Sequence, residues 1–154
     1  MKSLELKIPP LLLVLLFGAA MWLARKHTPL GFDLSRDIRL GLFILFSMLA
    51  FGVALAGVIS FRKQKTTVNP VSPEAASSLV ITGIYQYTRN PMYLGFAIFL
   101  IGWGLWLTNI LALLLVPFFV LYMTRFQIMA EEKALEALFD ERFLSYKKSV
   151  RRWL

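Results

Sequence analysis

The apolar residues of this 154-residue chain fall in long runs broken by short polar segments. Residues 8–24 are almost uniformly apolar, with Pro9 and Pro10 at their start. Lys2 and Lys7 precede them, as basic residues precede the core of a signal peptide. No small-x-small cleavage site follows, and Arg25-Lys26-His27 closes the run, so residues 8–24 read as a retained first span. Residues 40–59 carry no charge, and Ser47 is their only hydroxyl. At ~1.5 Å per residue they cover the ~30 Å hydrocarbon core, which makes them the second span. A third run, Met92 to Leu107, is broken by Thr108-Asn109 before Ile110 to Met123 resumes it. Each half is short for a span, and together they are too long for one straight helix. Residues 92–123 therefore predict a helical hairpin that turns at Asn109, with Pro117 kinking its second limb. Over residues 126–150, Ile128, Leu135, Phe139 and Tyr146 share a narrow stripe at 100° per residue, which predicts an amphipathic helix. The expected fold class is all-α: one polytopic membrane domain over residues 1–154, with about four transmembrane or embedded helices and a C-terminal amphipathic helix on the cytoplasmic side.

Composition sharpens this. The chain is 58% hydrophobic, with a mean hydropathy of +0.65, against roughly 45–50% apolar residues in a soluble domain. Little is left for a separate soluble domain such as a Rossmann-type nucleotide site. Cysteine is absent, which removes thiol nucleophiles, disulfides and thiolate metal sites. His27 is the only histidine and no metal motif occurs, so no metal is expected.

The net charge is +8. Its lysines and arginines bracket the apolar runs, so membrane lipids, not nucleic acid, are the expected partners. With four spans, Lys2, Lys7, Arg62, Lys63, Lys65, Arg89 and seven basic residues beyond Met123 share one side. Arg25, Lys26, Arg36 and Arg39 lie on the other. The bias puts both termini in the cytoplasm of an integral membrane protein, in the inner or plasma membrane if the source is bacterial. No ionisable residue lies deep in an apolar run, which argues against an ion-coupled transporter. Gly95 and Gly102 share one helix face, and Ala50, Ala54 and Gly57 another. Such faces favour close helix packing and permit homo-oligomers.

Polar chemistry collects between Gly83 and Gly95. Asn69, Pro70 and Pro73 predict an extended path ahead of it. Gly83 allows a turn, Pro91 suits the first helical position, and Asn90 suits the N-cap. Tyr85, Tyr87 and Tyr93 are either interface anchors or walls of a pocket, able to stack on a ring or attract a sulfonium or ammonium. Arg89 either pairs with a carboxylate or reaches toward lipid phosphates. Glu132 falls inside the apolar stripe of the tail helix, with Glu131 on its flank, and a buried carboxylate needs a partner. Arg89, Lys65 and a ligand ammonium are the candidates, or a salt bridge that locks the tail onto the hairpin. Glu136, Asp140 and Glu141 form the solvated face. The basic end of the helix reads as a membrane anchor, and its spacing gives no support for anion recognition by Arg151 or Arg152.

These residues carry a resemblance. Thr67-Val68-Asn69-Pro70, Leu79-Val80 and Gly83-x-Tyr85-x-x-x-Arg89-Asn90-Pro91-x-Tyr93-x-Gly95 are followed by Glu131-Glu132-x-x-Leu135-x-x-x-Phe139 and Tyr146-x-x-x-Val150-Arg151-Arg152-Trp153. From Phe61 to the C-terminus the chain resembles the small integral-membrane methyltransferases related to isoprenylcysteine carboxyl methyltransferase and to phospholipid N-methyltransferases. The first two spans match only as generic membrane helices.

The resemblance implies S-adenosylmethionine as cofactor. Its implied cofactor-binding residues are Gly83, Tyr85, Arg89, Asn90, Pro91, Tyr93, Glu131 and Glu132, with Arg89, Glu131 and Glu132 nearest the chemistry. It also implies a lipid or other lipophilic methyl acceptor. The carboxyl methyltransferase branch has histidine where this chain has Asn90, and an amide cannot act as a base near neutrality. The family's glycine after the phenylalanine is Asp140 here, and its following tyrosine is Phe143. The rival readings are a non-enzymatic membrane scaffold and a lipid-binding protein.

Overall fold

The computed structural model describes residues 5–63 and 78–154. The expected extended path through Thr67-Val68-Asn69-Pro70 and Pro73, and Lys65 with it, lies outside the described residues. Pro10 occupies the first turn of α1 (Pro10–His27), where a missing N–H leaves no bond unmade. Thr28 ends that helix by donating both its N–H and its hydroxyl to the Ala24 carbonyl. α2 runs Arg36–Lys63, longer at both ends than the apolar run at 40–59. A short 3-10 turn at Gly83–Gln86 follows the undescribed stretch. The predicted hairpin is α3 (Pro91–Leu107) and α4 (Ile110–Tyr122), with Pro117 inside α4. The Pro10–His27 and Arg36–Lys63 helices, and the continuous helix Ile110–Ser149, are long and apolar enough to cross a membrane. Pro91–Leu107 is a shorter apolar helix.

α3 sits at the centre, with α2 along one side and α1 and α4 along the other. The two small-residue faces meet. A methyl on Gly95 would lie 2.8 Å from the Ala50 carbonyl oxygen and 3.1 Å from the Ala54 Cβ, and one on Gly102 would lie 2.6 Å from the Phe46 Cβ. Dispersion between backbones this close is what joins helices when lipid offers no hydrophobic gain. Met21, Leu100, Ala112, Phe119 and Met123 are fully buried between α1, α3 and α4. Leu45, Met48 and Phe51 of α2, and Phe118 and Leu121 of α4, face outward, as a lipid-bathed surface requires.

At one end the turn falls where Asn109 predicts it. Asn109 is fully buried, accepts from the Ala112 N–H at 3.0 Å and donates to the Thr28 hydroxyl at 3.1 Å. The Ile110 N–H donates to the Leu30 carbonyl, so the loop after α1 is tied to the α3–α4 turn.

The other end departs from expectation. α4 does not stop near residue 123. It continues through a π-helical turn, Met123–Ile128, into α5 (Met129–Ser149). The Leu6 N–H donates to the Phe126 carbonyl within that turn, and Glu5 pairs with Arg125 at 3.4 Å. α5 is not straight: Asp140 has φ 40° and ψ −120°, which bends the helix there. Its charged residues on both sides of that bend keep α5 out of the hydrocarbon.

Candidate functional site

Gly83 turns the chain with φ +64°, and a Cβ there would lie 2.8 Å from the Ser60 hydroxyl at the end of α2. Only glycine takes both the dihedral and the close approach without strain. The turn drives Tyr85 into an apolar cluster with Leu79, Val80, Phe143 and Tyr146, its ring 5.3 Å edge-on from Phe61. The Tyr146 hydroxyl donates to the Tyr85 carbonyl at 2.6 Å. Of the stripe predicted for the tail, Tyr146 docks here with Leu135 and Phe139 at the edge, while Ile128 packs into the core of the helical bundle. Tyr87 goes the other way. It is 73% exposed, whereas Tyr85 and Tyr93 are buried, so the three tyrosines do not share one wall.

Arg89 is the hub. Its NH2 donates to Glu132 Oε1 at 2.7 Å, and its NH1 to the Val150 and Lys147 carbonyls at 2.6 and 3.0 Å. Both side chains are 9% exposed. The alternative in which Arg89 reaches for lipid phosphates is therefore overturned: it turns inward because α5 supplies a carboxylate and two carbonyls. Glu132 also takes a two-point fork from Arg152, with Nε at 3.0 Å and NH2 at 2.7 Å. Asn90 holds the N-cap position of α3, yet its side chain makes no cap; the amide donates to the Arg152 carbonyl at 2.9 Å instead. Pro91 sits in the first turn as expected.

Glu131 is held separately. Tyr93 donates its hydroxyl to Glu131 Oε1, and Gln127 Nε2 donates to the same oxygen at 2.7 Å. Spacing gave Gln127 no role, although residues four apart on a helix face one another and that signal was there to read. Arg152 carries no local signal, because its pairing with Glu132 depends on the chain end folding back.

The two neighbouring carboxylates are shifted in opposite directions. Burial pushes the Glu131 carboxyl up to about 7; the bonds from Tyr93 and Gln127 offset part of this, and Glu132 adds to it. Burial also raises Glu132, but its bonds to Arg152 and Arg89 outweigh that and hold it below the usual carboxylate range. Burial raises the Tyr85 phenol, helped by Tyr146 and Glu131, so it stays neutral.

This arrangement suits an amino-acid ligand end. Two guanidiniums share one carboxylate, leaving a net positive charge, and Arg89 Nε is buried with no acceptor among the described residues. An anionic group would complete it. Glu131 offers the complementary charge to a cation. A cleft of about 550 Å³ opens beside Glu132, lined by Met129, Lys133, Glu136, Ala137, Lys147 and Arg152. No cluster of three metal-ligating side chains occurs among the described residues.

Comparisons with known proteins follow the same geography. The profile of the phospholipid methyltransferase family matches residues 38–142, which carry every site residue named above except those of the C-terminal end. The chain is 48% identical over 63 residues to an uncharacterised protein of Haemophilus influenzae, covering 41% of this chain and 100% of that one. It is 38% identical over 77 residues to the protein-S-isoprenylcysteine O-methyltransferase of Saccharomyces cerevisiae, covering 50% of this chain and 32% of the yeast enzyme. The chain thus spans about a third of that enzyme's length. No solved structure matches it.

Proposed function

Because this chain belongs to the phospholipid methyltransferase family, we propose that it moves a methyl group from S-adenosylmethionine to a lipophilic acceptor at the cytoplasmic membrane face. The observation that carries the reading is the paired site at the α3 and α5 N-terminal ends: an Arg89–Glu132 pair with an orphaned buried Nε, beside a Glu131 carboxyl poised near neutrality.

When bound, S-adenosylmethionine supplies a methyl group already activated on a sulfonium, so the protein's work is alignment and exclusion of water. Arg89 would hold the carboxylate of the amino-acid end, backed by Glu132, whose own oxygens are taken within the chain. Glu131 would hold the ammonium, with Tyr93 and Gln127 fixing its carboxyl. Tyr85 and Tyr93, each buried in an apolar cluster, would back the region between. Gly83, Asn90 and Pro91 set the backbone that brings these groups together. A carboxylate acceptor needs no base, whereas an amine or thiol must lose a proton before or during transfer.

The end of the bundle that carries the site also carries Lys7, Arg62, Lys63, Arg89 and the seven basic residues beyond Met123, while Arg25, Lys26, Arg36 and Arg39 lie toward the other end. That excess supports the cytoplasmic assignment of the site. One observation favours the scaffold reading: Glu132 is fully satisfied inside the chain, as a purely structural lock would be.

Calorimetric titration of the purified protein in mild detergent with S-adenosylmethionine and S-adenosylhomocysteine separates the two. Saturable binding near one per chain supports the enzyme and justifies a screen of lipid acceptors. Absence of binding to folded protein, repeated in lipid nanodiscs, favours the scaffold.

A further inference from the structure

After α5 ends at Ser149, Val150 turns extended, with φ −127° and ψ 134°. The last residues then run back across the start of α3. The Arg89 N–H donates to the Arg151 carbonyl at 3.1 Å. The Thr88 hydroxyl and the Asn90 amide donate to the Arg152 carbonyl at 3.4 and 2.9 Å. The Val150 carbonyl takes Arg89 NH1. At the far end the Trp153 indole N–H donates to the Thr124 hydroxyl at 3.0 Å, and its ring packs on the hydrophobic core of the helical bundle. Three consecutive residues, Thr88, Arg89 and Asn90, are thus bonded to one strap that is anchored at both ends.

The strap also carries a side chain into the site. Arg152 forks both oxygens of Glu132, and Arg89 takes one of the same oxygens. A carboxylate held at two points by a planar guanidinium cannot rotate about its last bond, whereas one held by Arg89 alone could. The strap lies beyond residues 38–142, where the family profile matches, and the resemblance of its Val150-Arg151-Arg152-Trp153 motif assigns Arg152 no role.

We infer that Arg152 is a positioning residue of the methyl-transfer site, which orients Glu132, and through it Arg89, toward the anionic end of the bound cofactor. The inference rests on the function proposed above. Arg152 does not touch the ligand in this account. It supplies the charge and the fork that keep Glu132 ionised and aligned, and its carbonyl holds Asn90. A neutral side chain at 152 leaves Glu132 with one guanidinium, so protonation of Glu132 then sets in at higher pH.

The test uses the full-length chain in lipid nanodiscs, with Arg152→Gln and Arg152→Lys beside the native protein. S-adenosylhomocysteine affinity is measured by calorimetry across the acid range and expressed per folded molecule, the folded fraction coming from thermal unfolding. The expected result for Arg152→Gln is about tenfold weaker binding, with its acid limit displaced to higher pH. Arg152→Lys should restore part of the affinity, since it returns the charge without the fork. A strap that is merely structural would lower the folded fraction and leave both affinity and acid limit of the folded molecules unchanged; that result overturns the inference. If the native protein binds no cofactor, the proposed function fails instead. The acid limit of thermal stability then decides on Arg152 alone: displacement in Arg152→Gln supports its hold on Glu132, and an unmoved limit removes it.

Discussion

Glu131 and Glu132 are adjacent in the chain and are pushed in opposite directions from the ordinary carboxylate range, Glu131 above it and Glu132 below it. Glu132 lies between two guanidiniums at 2.7 Å, and Glu131 faces only the neutral donors Tyr93 and Gln127. One helical step separates them by about 100° around the helix, enough to aim one at the basic strap and the other at α3. Two guanidiniums around Glu132 leave a positive excess there, and Glu131 beside it can take up or release a proton.

Glu131 makes stability depend on pH in a defined direction. Its carboxyl is raised from 4.5 to about 7 by burial, so the folded state favours the protonated form. The contribution is complete below about 4.5 and is lost as pH rises through about 7, worth at most roughly 3 kcal/mol. The melting temperature in detergent should fall over that window in the native protein and change much less in Glu131→Gln. Equal slopes would place Glu131 in water.

Glu132 works in the other sense. Its carboxyl is held below the ordinary range, so its contribution is present above the ordinary carboxylate value and is lost as pH falls below it. Glu132→Ala leaves Arg89 and Arg152 without their anion and should cost about 3–5 kcal/mol. Arg89→Lys is the gentler probe. It keeps the charge but loses the NH2 bond to Glu132 or the NH1 bonds to the Val150 and Lys147 carbonyls, which one ammonium cannot all replace. Cofactor binding measured by calorimetry should weaken about tenfold or more in the folded variant, and native affinity would remove Arg89 from the ligand site.

Asp140 stands in a left-handed conformation, φ 40°, at the position where the resembling family has glycine. A side chain there carries local strain of about 1–3 kcal/mol. Asp140→Gly should raise the unfolding midpoint in detergent, with a gain near 1 kcal/mol after the added freedom of the unfolded chain is subtracted. A lower midpoint would mean that the carboxylate has a role the backbone does not reveal.

Gly95→Val tests the helix contact that carries the site. The new side chain meets the Ala50 carbonyl and Ala54 at the α2–α3 seam. Overpacking of this kind costs about 1–3 kcal/mol, and α3, which begins at the site, must shift. Faster loss of fold on heating in detergent is expected, with lower cofactor affinity. An unchanged midpoint would show that the helices part without penalty.

Much of this molecule was legible before folding. Uncharged apolar runs set the four apolar helices, and Thr108-Asn109 marked the hairpin because an asparagine inside hydrocarbon needs a turn whose bonds it can satisfy. Arg89, Tyr93, Glu131 and Glu132 stood out as polar groups beside apolar runs. Those features depend on neighbours within a few residues, and the backbone reports them directly. Other features waited for the tertiary structure. Tyr85 and Tyr87 look alike in sequence, but a turn at Gly83 buries one and exposes the other. The π-helical turn that makes α4 and α5 continuous left no mark in the residue pattern. The choice among partners for Glu132 was settled by contacts 43 and 20 residues away in the chain. Local periodicity determines which residues must be buried or charged; only the closed fold decides which buried charges meet, because that depends on where distant segments come to rest.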